Sequence, residues 1–235
     1  MKIGCAAFVG AFTIGVFAAF PGAAQTIGGA LAVQREVSGQ LSGSPRAIAT
    51  GDDVHQNETI RTGAASSAEL GFLDQTRLAV GASAAVKLDR FVFDPDRGAR
   101  SVVLTATKGV ARFVTGAGPS AVYQVRTPHA TIGVRGTEFE VMVQSSRTVV
   151  VLGATGAVDV CRRVAPRTCQ ALTVPGDIAI VTATSLQGPR SAAAQSLDVA
   201  ALRSALGGDT IALASAAAGP GPLPVLVRKG ASLID

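Results

Sequence analysis

Thr127-Pro128-His129-Ala130-Thr131-Ile132-Gly133-Val134-Arg135-Gly136-Thr137-Glu138-Phe139-Glu140-Val141 changes the parity of its apolar residues partway along. Ala130, Ile132 and Val134 stand at even positions, whereas Phe139, Val141 and Val143 stand at odd ones. Side chains of a strand alternate between its faces, so one uninterrupted strand would turn one of these sets into water. A bulge or turn must intervene. Arg135-Gly136-Thr137 is the natural place, because Gly136 can take the positive φ that such a break requires. Pro128 holds Thr127 extended, and Gly133 lets another backbone or a ligand approach closely. Thr127 and Thr137 are expected to stabilise turns through hydroxyl-to-backbone bonds. Arg135 is expected to tie down the break by bonding turn carbonyls or by pairing with Glu138 or Glu140; recognition of a carboxylate or phosphate through its guanidinium fork is the competing reading.

Outward from this stretch, residues 36–184 show short β-type runs separated by turn residues, and helical periodicity is absent. The runs are 68–73, 76–80, 86–93, 101–105, 121–126, 137–143, 148–152 and 178–181, each about one strand long. Thr62-Gly63, Asp94-Pro95-Asp96-Arg97-Gly98, Thr115-Gly116, Gly153-Ala154-Thr155-Gly156 and Pro175-Gly176-Asp177 punctuate them. Asp94-Pro95-Asp96 lacks the downstream oxygen ligands of a calcium loop and reads as a turn. The expected fold is all-β, either a short twisted solenoid-like roll or a β-sandwich. After Ser185 the composition turns to Ala, Gly, Ser and Pro. One helix is expected over 196–207, with Ser196 as N-cap, Gly207 as the stop and Val199, Leu202 and Leu206 on one face. The rest of 185–235 reads as a flexible tail.

The 235 residues are 48% hydrophobic but only 4% aromatic, with no Trp, one Tyr and two His. Such a chain builds its core from Ala, Val, Leu and Ile, which argues against disorder and against a coiled coil. Two His and three Cys do not furnish a multi-ligand zinc site. Residues 1–24 read as a secretory signal: Lys2 gives the positive start, an apolar run follows to Phe20, and Gly22 and Ala24 suit the cleavage site. The mature chain then begins at Gln25 with a domain over 25–184, is periplasmic or secreted, and has no later segment apolar enough to span a bilayer. In that oxidising compartment, Cys161 and Cys169 flanking a Pro-containing loop are most simply a disulfide. Arg162, Arg163 and Arg167 on the stapled loop, with Arg135, form a candidate contact surface.

Val125-Arg126-Thr127-Pro128 followed by Ala130-Thr131-Ile132-Gly133-Val134-Arg135-Gly136-Thr137-Glu138-Phe139 strongly resembles the signature of the FecR domain, found in periplasmic parts of bacterial envelope sensors. The likeness extends upstream through Gly51-Asp52, Ile60-Arg61-Thr62-Gly63, Phe91-Val92-Phe93-Asp94 and Lys108-Gly109-Val110-Ala111-Arg112-Phe113, and downstream through Gly156-Ala157-Val158-Asp159-Val160 to Pro175-Gly176-Asp177. Asp74-Gln75-Thr76 departs from it, standing where relatives usually have Asp-Gly-Thr. The resemblance implies a free-standing exported module, similar to the sensing half of the membrane-spanning regulators but without their sigma-factor-regulating cytoplasmic part.

Three functions follow as expectations. The first is a non-catalytic binding or signalling module whose partner is another envelope protein, met through strand edges or the helix over 196–207. The second is a module for an anionic glycan or cell-wall polymer, with Arg112, Arg126, Arg147, Arg162, Arg163 and Arg167 as a basic surface. The third is a hydrolase with His129 as base and Thr127 or Ser120 as nucleophile, against which stands the absence of G-x-S-x-G and H-E-x-x-H patterns. No cofactor and no nucleic-acid partner is expected.

Overall fold

The computed structural model describes residues 24–191 except Ala117, Thr137 and Ala154, together with Ser204 and Leu206. The expected signal segment, and most of the expected helix and tail, lie outside these residues. Seventeen strands are described: β1 (Thr26–Gln34), β2 (Val37–Gln40), β3 (Arg46–Ala47), β4 (Asp53–His55), β5 (Thr59–Thr62), β6 (Ser67–Phe72), β7 (Arg77–Val80), β8 (Ala85–Asp94), β9 (Gly98–Val114), β10 (Tyr123–Arg126), β11 (Ala130–Arg135), β12 (Glu138–Val143), β13 (Arg147–Leu152), β14 (Ala157–Arg162), β15 (Cys169–Leu172), β16 (Asp177–Thr182) and β17 (Leu186–Ser191). The all-β expectation holds, and β17 runs past Thr184, where the composition change suggested that the domain ends.

The strands form two open sheets. One has the order β4-β1-β6-β7-β9-β12-β13-β16-β17, antiparallel throughout. The other has the order β3-β2-β5-β8-β9-β10-β11-β14-β15, with one parallel pair, β9 with β10. The chain passes repeatedly from one layer to the other, so the path is a roll while the cross-section is two-layered. β9 belongs to both sheets. Its first part pairs with β8 and β10, and its last part, from Gly109, pairs with β7 and β12.

The physical cause lies in the sequence of β9 itself. Val102, Leu104 and Ala106 are buried at even positions, Ala111 and Phe113 at odd ones. Between them Gly109 adopts φ +83°, and a Cβ there would lie 2.5 Å from Cα of Ala84. Only glycine fits both the handedness and the space. The parity change at 134–139 has the same meaning: β11 ends in one sheet, β12 begins in the other, and Gly136 at φ +58° turns the corner. The expected break is therefore a passage between layers and not a bulge within one strand.

One continuous apolar cluster fills the space between the sheets, drawing on Leu70, Leu78, Phe113, Phe139 and Val150 from one and Ile60, Leu88, Leu104, Ile132 and Val160 from the other. Phe113 is central, its ring 5.6 Å from Phe139 and 6.0 Å edge-on from Tyr123. Burying each such side chain stabilises the fold by about 2–3 kcal/mol, offsetting the ordering of the backbone around it. A smaller cluster on the outer face of the first sheet joins Ala79, Val110, Val149, Val151 and Ile178 to Leu206.

Candidate functional site

The Thr127-Pro128-His129 turn joins β10 to β11. Thr127 is fully buried, its amide donating to the Ala130 carbonyl at 2.8 Å and its Oγ1 accepting from the Ala130 amide at 2.8 Å. The same hydroxyl lies 2.9 Å from Thr148 Oγ1 on β13, which fastens the turn to the opposite sheet. Thr127 is thus the expected turn stabiliser, and its hydroxyl is engaged there and not by His129. His129 Nδ1 is buried and meets no hydrogen-bond partner among the described residues. Pro128 is exposed, and Thr137 lies outside the described residues.

From this hairpin the outward face of the second sheet is built strand by strand. Register places Gln124, Gly133, Asp159 and Ala171 in one row across β10, β11, β14 and β15, and Arg126, Thr131, Cys161 and Cys169 in the next. The rows floor an open groove of about 410 Å³, with Arg163 and Arg167 from the following loop at its side. Gly133 keeps the middle of the floor low: a Cβ there would meet nothing nearer than Asp159, at 4.0 Å. Cys161 and Cys169 face each other across β14 and β15 with their sulfurs at disulfide distance, 2.01 Å. Arg163 is held over the turn, its amide donating to the His129 carbonyl and its Nη1 to the Thr127 carbonyl, both at 3.0 Å.

The groove contains one carboxylate, and it is already matched. Arg135 Nη2 and Nε donate to Asp159 Oδ2 at 2.7 and 2.9 Å. This corrects the expectation that Arg135 ties the corner to Glu138 or Glu140; those two carboxylates lie on the other sheet, where Arg112 meets them at 3.4 and 2.8 Å. With Asp159 paired, Arg126, Arg163 and Arg167 leave the groove with an excess of positive charge. Arg126 donates to neutral Gln124 Oε1, at 2.8 Å.

The proposed arginine surfaces must be redrawn. Arg162 is 9% exposed and donates to the Ala183 carbonyl at 3.0 Å, because its position in β14 alternates inward with Val158 and Val160. Its guanidinium is thus largely buried, although the residue still lines the groove. Arg112 and Arg147 lie on the first sheet, away from the groove, Arg147 donating to Gln144 Oε1. Four of the six basic residues therefore line the groove, Arg162 only as a buried residue at its edge, and Gln124, Thr131 and Asp159 join them without having been singled out from sequence. Their signal was the two-residue period of each strand, but only the pairing of β11 with β14 brings the strands side by side.

Behind the groove, a buried polar knot fixes the start of β10. Asp74 Oδ2 accepts from Tyr123 Oη at 2.9 Å and from Thr76 Oγ1 at 2.7 Å, while the Gly118 amide donates to Tyr123 Oη at 3.0 Å. Burial, then the Asp74 charge, pushes the Tyr123 phenol up to about 12. Gln75 takes φ +70° in this turn, filling the place where the Asp-Gly-Thr pattern has glycine. Among the described residues no group of three His, Cys, Asp or Glu is placed to hold a metal ion, and no helix is long and apolar enough to cross a membrane.

Residues 58–159 match the family described as FecR protein. No curated protein matches the chain. Two crystal structures of a candidate anti-sigma factor from Parabacteroides distasonis ATCC 8503 align with it, at 20% and 18% identity and TM-scores of 0.43 and 0.42. Each alignment covers 58% of this chain and 62% of that protein, less than two thirds of its length.

Proposed function

We propose that the chain is an exported, non-catalytic signalling module that recognises another component of the cell envelope through the groove of its FecR domain. The observation that carries this reading is the convergence of Arg126, Arg163 and Arg167 over a floor kept low by Gly133, on the face opposite the core. That arrangement suits recognition, because guanidinium groups supply fixed donors for anionic partners. Export is supported by the apolar leader over 3–20 and by the Cys161–Cys169 pair, which an oxidising compartment would keep as a disulfide.

The test is affinity capture from detergent-solubilised envelope with residues 25–235 as bait, beside the same bait carrying Arg126→Gln and Arg167→Gln. A single component retained by the first and lost by the second supports the reading. Failure to retain any component overturns it. The alternative partner is an anionic cell-wall polymer, favoured by the same arginines and read out by salt-sensitive sedimentation with purified cell wall.

A further inference from the structure

We infer that the groove takes an extended acidic segment of a partner polypeptide, an inference that rests on the recognition reading above and names its chemistry. Four adjacent strands, β10, β11, β14 and β15, span about 14 Å at the usual inter-strand spacing. An extended chain crosses that distance in about four residues, and its alternate side chains face the floor. Arg126 stands on the β10 side and Arg167 in the loop between β14 and β15, while Arg163 is held over the Thr127–His129 turn. Carboxylates at positions i and i+4 of the segment, about 13 Å apart, meet the two ends at once. Gly133 and Thr131 between them leave the peptide backbone room to lie flat.

Two features favour a polypeptide over an anionic glycan. The groove's lining includes no aromatic ring on which a sugar would stack. The groove already shows its preferred match, since Asp159 takes two donors of Arg135 on one carboxylate oxygen.

The test uses residues 25–235 and a fluorescein-labelled peptide of alternating Glu and Ser, followed by anisotropy. The peptide is expected to bind, a Lys and Ser peptide not to bind, and binding to weaken at least tenfold in the Arg126→Gln/Arg167→Gln variant. Neither of these arginines holds the backbone, so the variant should melt as the parent does. Gly133→Val is a second, charge-neutral block: the added side chain rises into the groove at a position free of positive φ and of close neighbours. Its loss of binding at unchanged melting temperature supports the inference. Retention of the peptide by both variants overturns it, as does tighter binding of polygalacturonate or inorganic polyphosphate than of the peptide. Envelope capture that survives both variants sinks the groove while leaving the module reading intact; peptide binding without envelope capture does the reverse.

Discussion

Tyr123 and Asp74, 49 positions apart in sequence, are joined by a buried 2.9 Å hydrogen bond in which the phenol donates to the carboxylate. The bond fixes β10 to the turn between β6 and β7, and therefore one sheet to the other. Tyr123 is the only tyrosine and the chain has no Trp, so its ionisation is directly visible in the ultraviolet. The absorbance titration is expected to have its midpoint near pH 12, not near 10. Below pH 10 the phenol is neutral in folded and unfolded chains alike and adds no pH dependence. Between 10 and about 12 the unfolded chain ionises first, so stability falls over that window by on the order of 2 kcal/mol and the loss is complete above it. Tyr123→Phe should cost about 1–3 kcal/mol at neutral pH and remove this part of the alkaline loss; urea melts of both proteins from pH 8 to 12 measure it.

Two corner glycines should behave differently when replaced. Gly136 has φ +58° but open space around its Cβ position, so Gly136→Ala costs the backbone term alone, about 1–2 kcal/mol, and Gly136→Val somewhat more without abolishing the fold. Gly109 has both a positive φ and a backbone neighbour at 2.5 Å. Gly109→Ala should therefore lower the urea midpoint much further than Gly136→Ala, and equal midpoints would refute the assignment of β9 to two sheets.

Arg135→Ala is expected to cost at most about 1 kcal/mol, because the Arg135 and Asp159 side chains are 67% and 36% exposed. Its larger effect is electrostatic. Losing the guanidinium leaves the Asp159 charge uncompensated in the groove, so affinity for the acidic peptide should fall while the melting temperature moves by only a few degrees. A large drop in melting temperature would show that the corner depends on this pair.

Cys161→Ser/Cys169→Ser should lower stability by about 2–3 kcal/mol through the freedom returned to the unfolded loop. The same change loosens the loop carrying Arg163 and Arg167, so peptide affinity should fall with it. Comparing the parent protein with and without a thiol reductant in both assays checks this; indifference to reductant in both would show that the two cysteines are not bonded.

Much of the layer structure was readable because parity is a property of single strands. Ala130, Ile132 and Val134 against Phe139 and Val141 announced a change of face, and the structure shows it to be a change of sheet. Leu104 and Ala106 against Ala111 and Phe113 carried the same signal on either side of Gly109. A long bent strand and two short ones look alike in one dimension, so that signal alone does not separate them. The groove was less accessible. Arg126, Thr131 and Cys161 become neighbours only through the register of β10 with β11 and of β11 with β14, and register between distant segments is a collective property of the fold. Arg162 misled for the complementary reason: a basic residue beside a stapled loop looks exposed until the inward alternation of Val158 and Val160 is extended to it. Gln75 shows a local rule overridden, since the Asp74 and Thr76 bonds hold its backbone where glycine is the usual occupant.

On either side of β9, each sheet has four strands: β4, β1, β6 and β7 against β12, β13, β16 and β17 in one, β3, β2, β5 and β8 against β10, β11, β14 and β15 in the other. The two halves of the chain share no described ladder except through this strand. β9 is thus a spine, and a pull on the half that carries the groove passes into the half that does not through the ladders of this one strand and the Tyr123–Asp74 bond beside it.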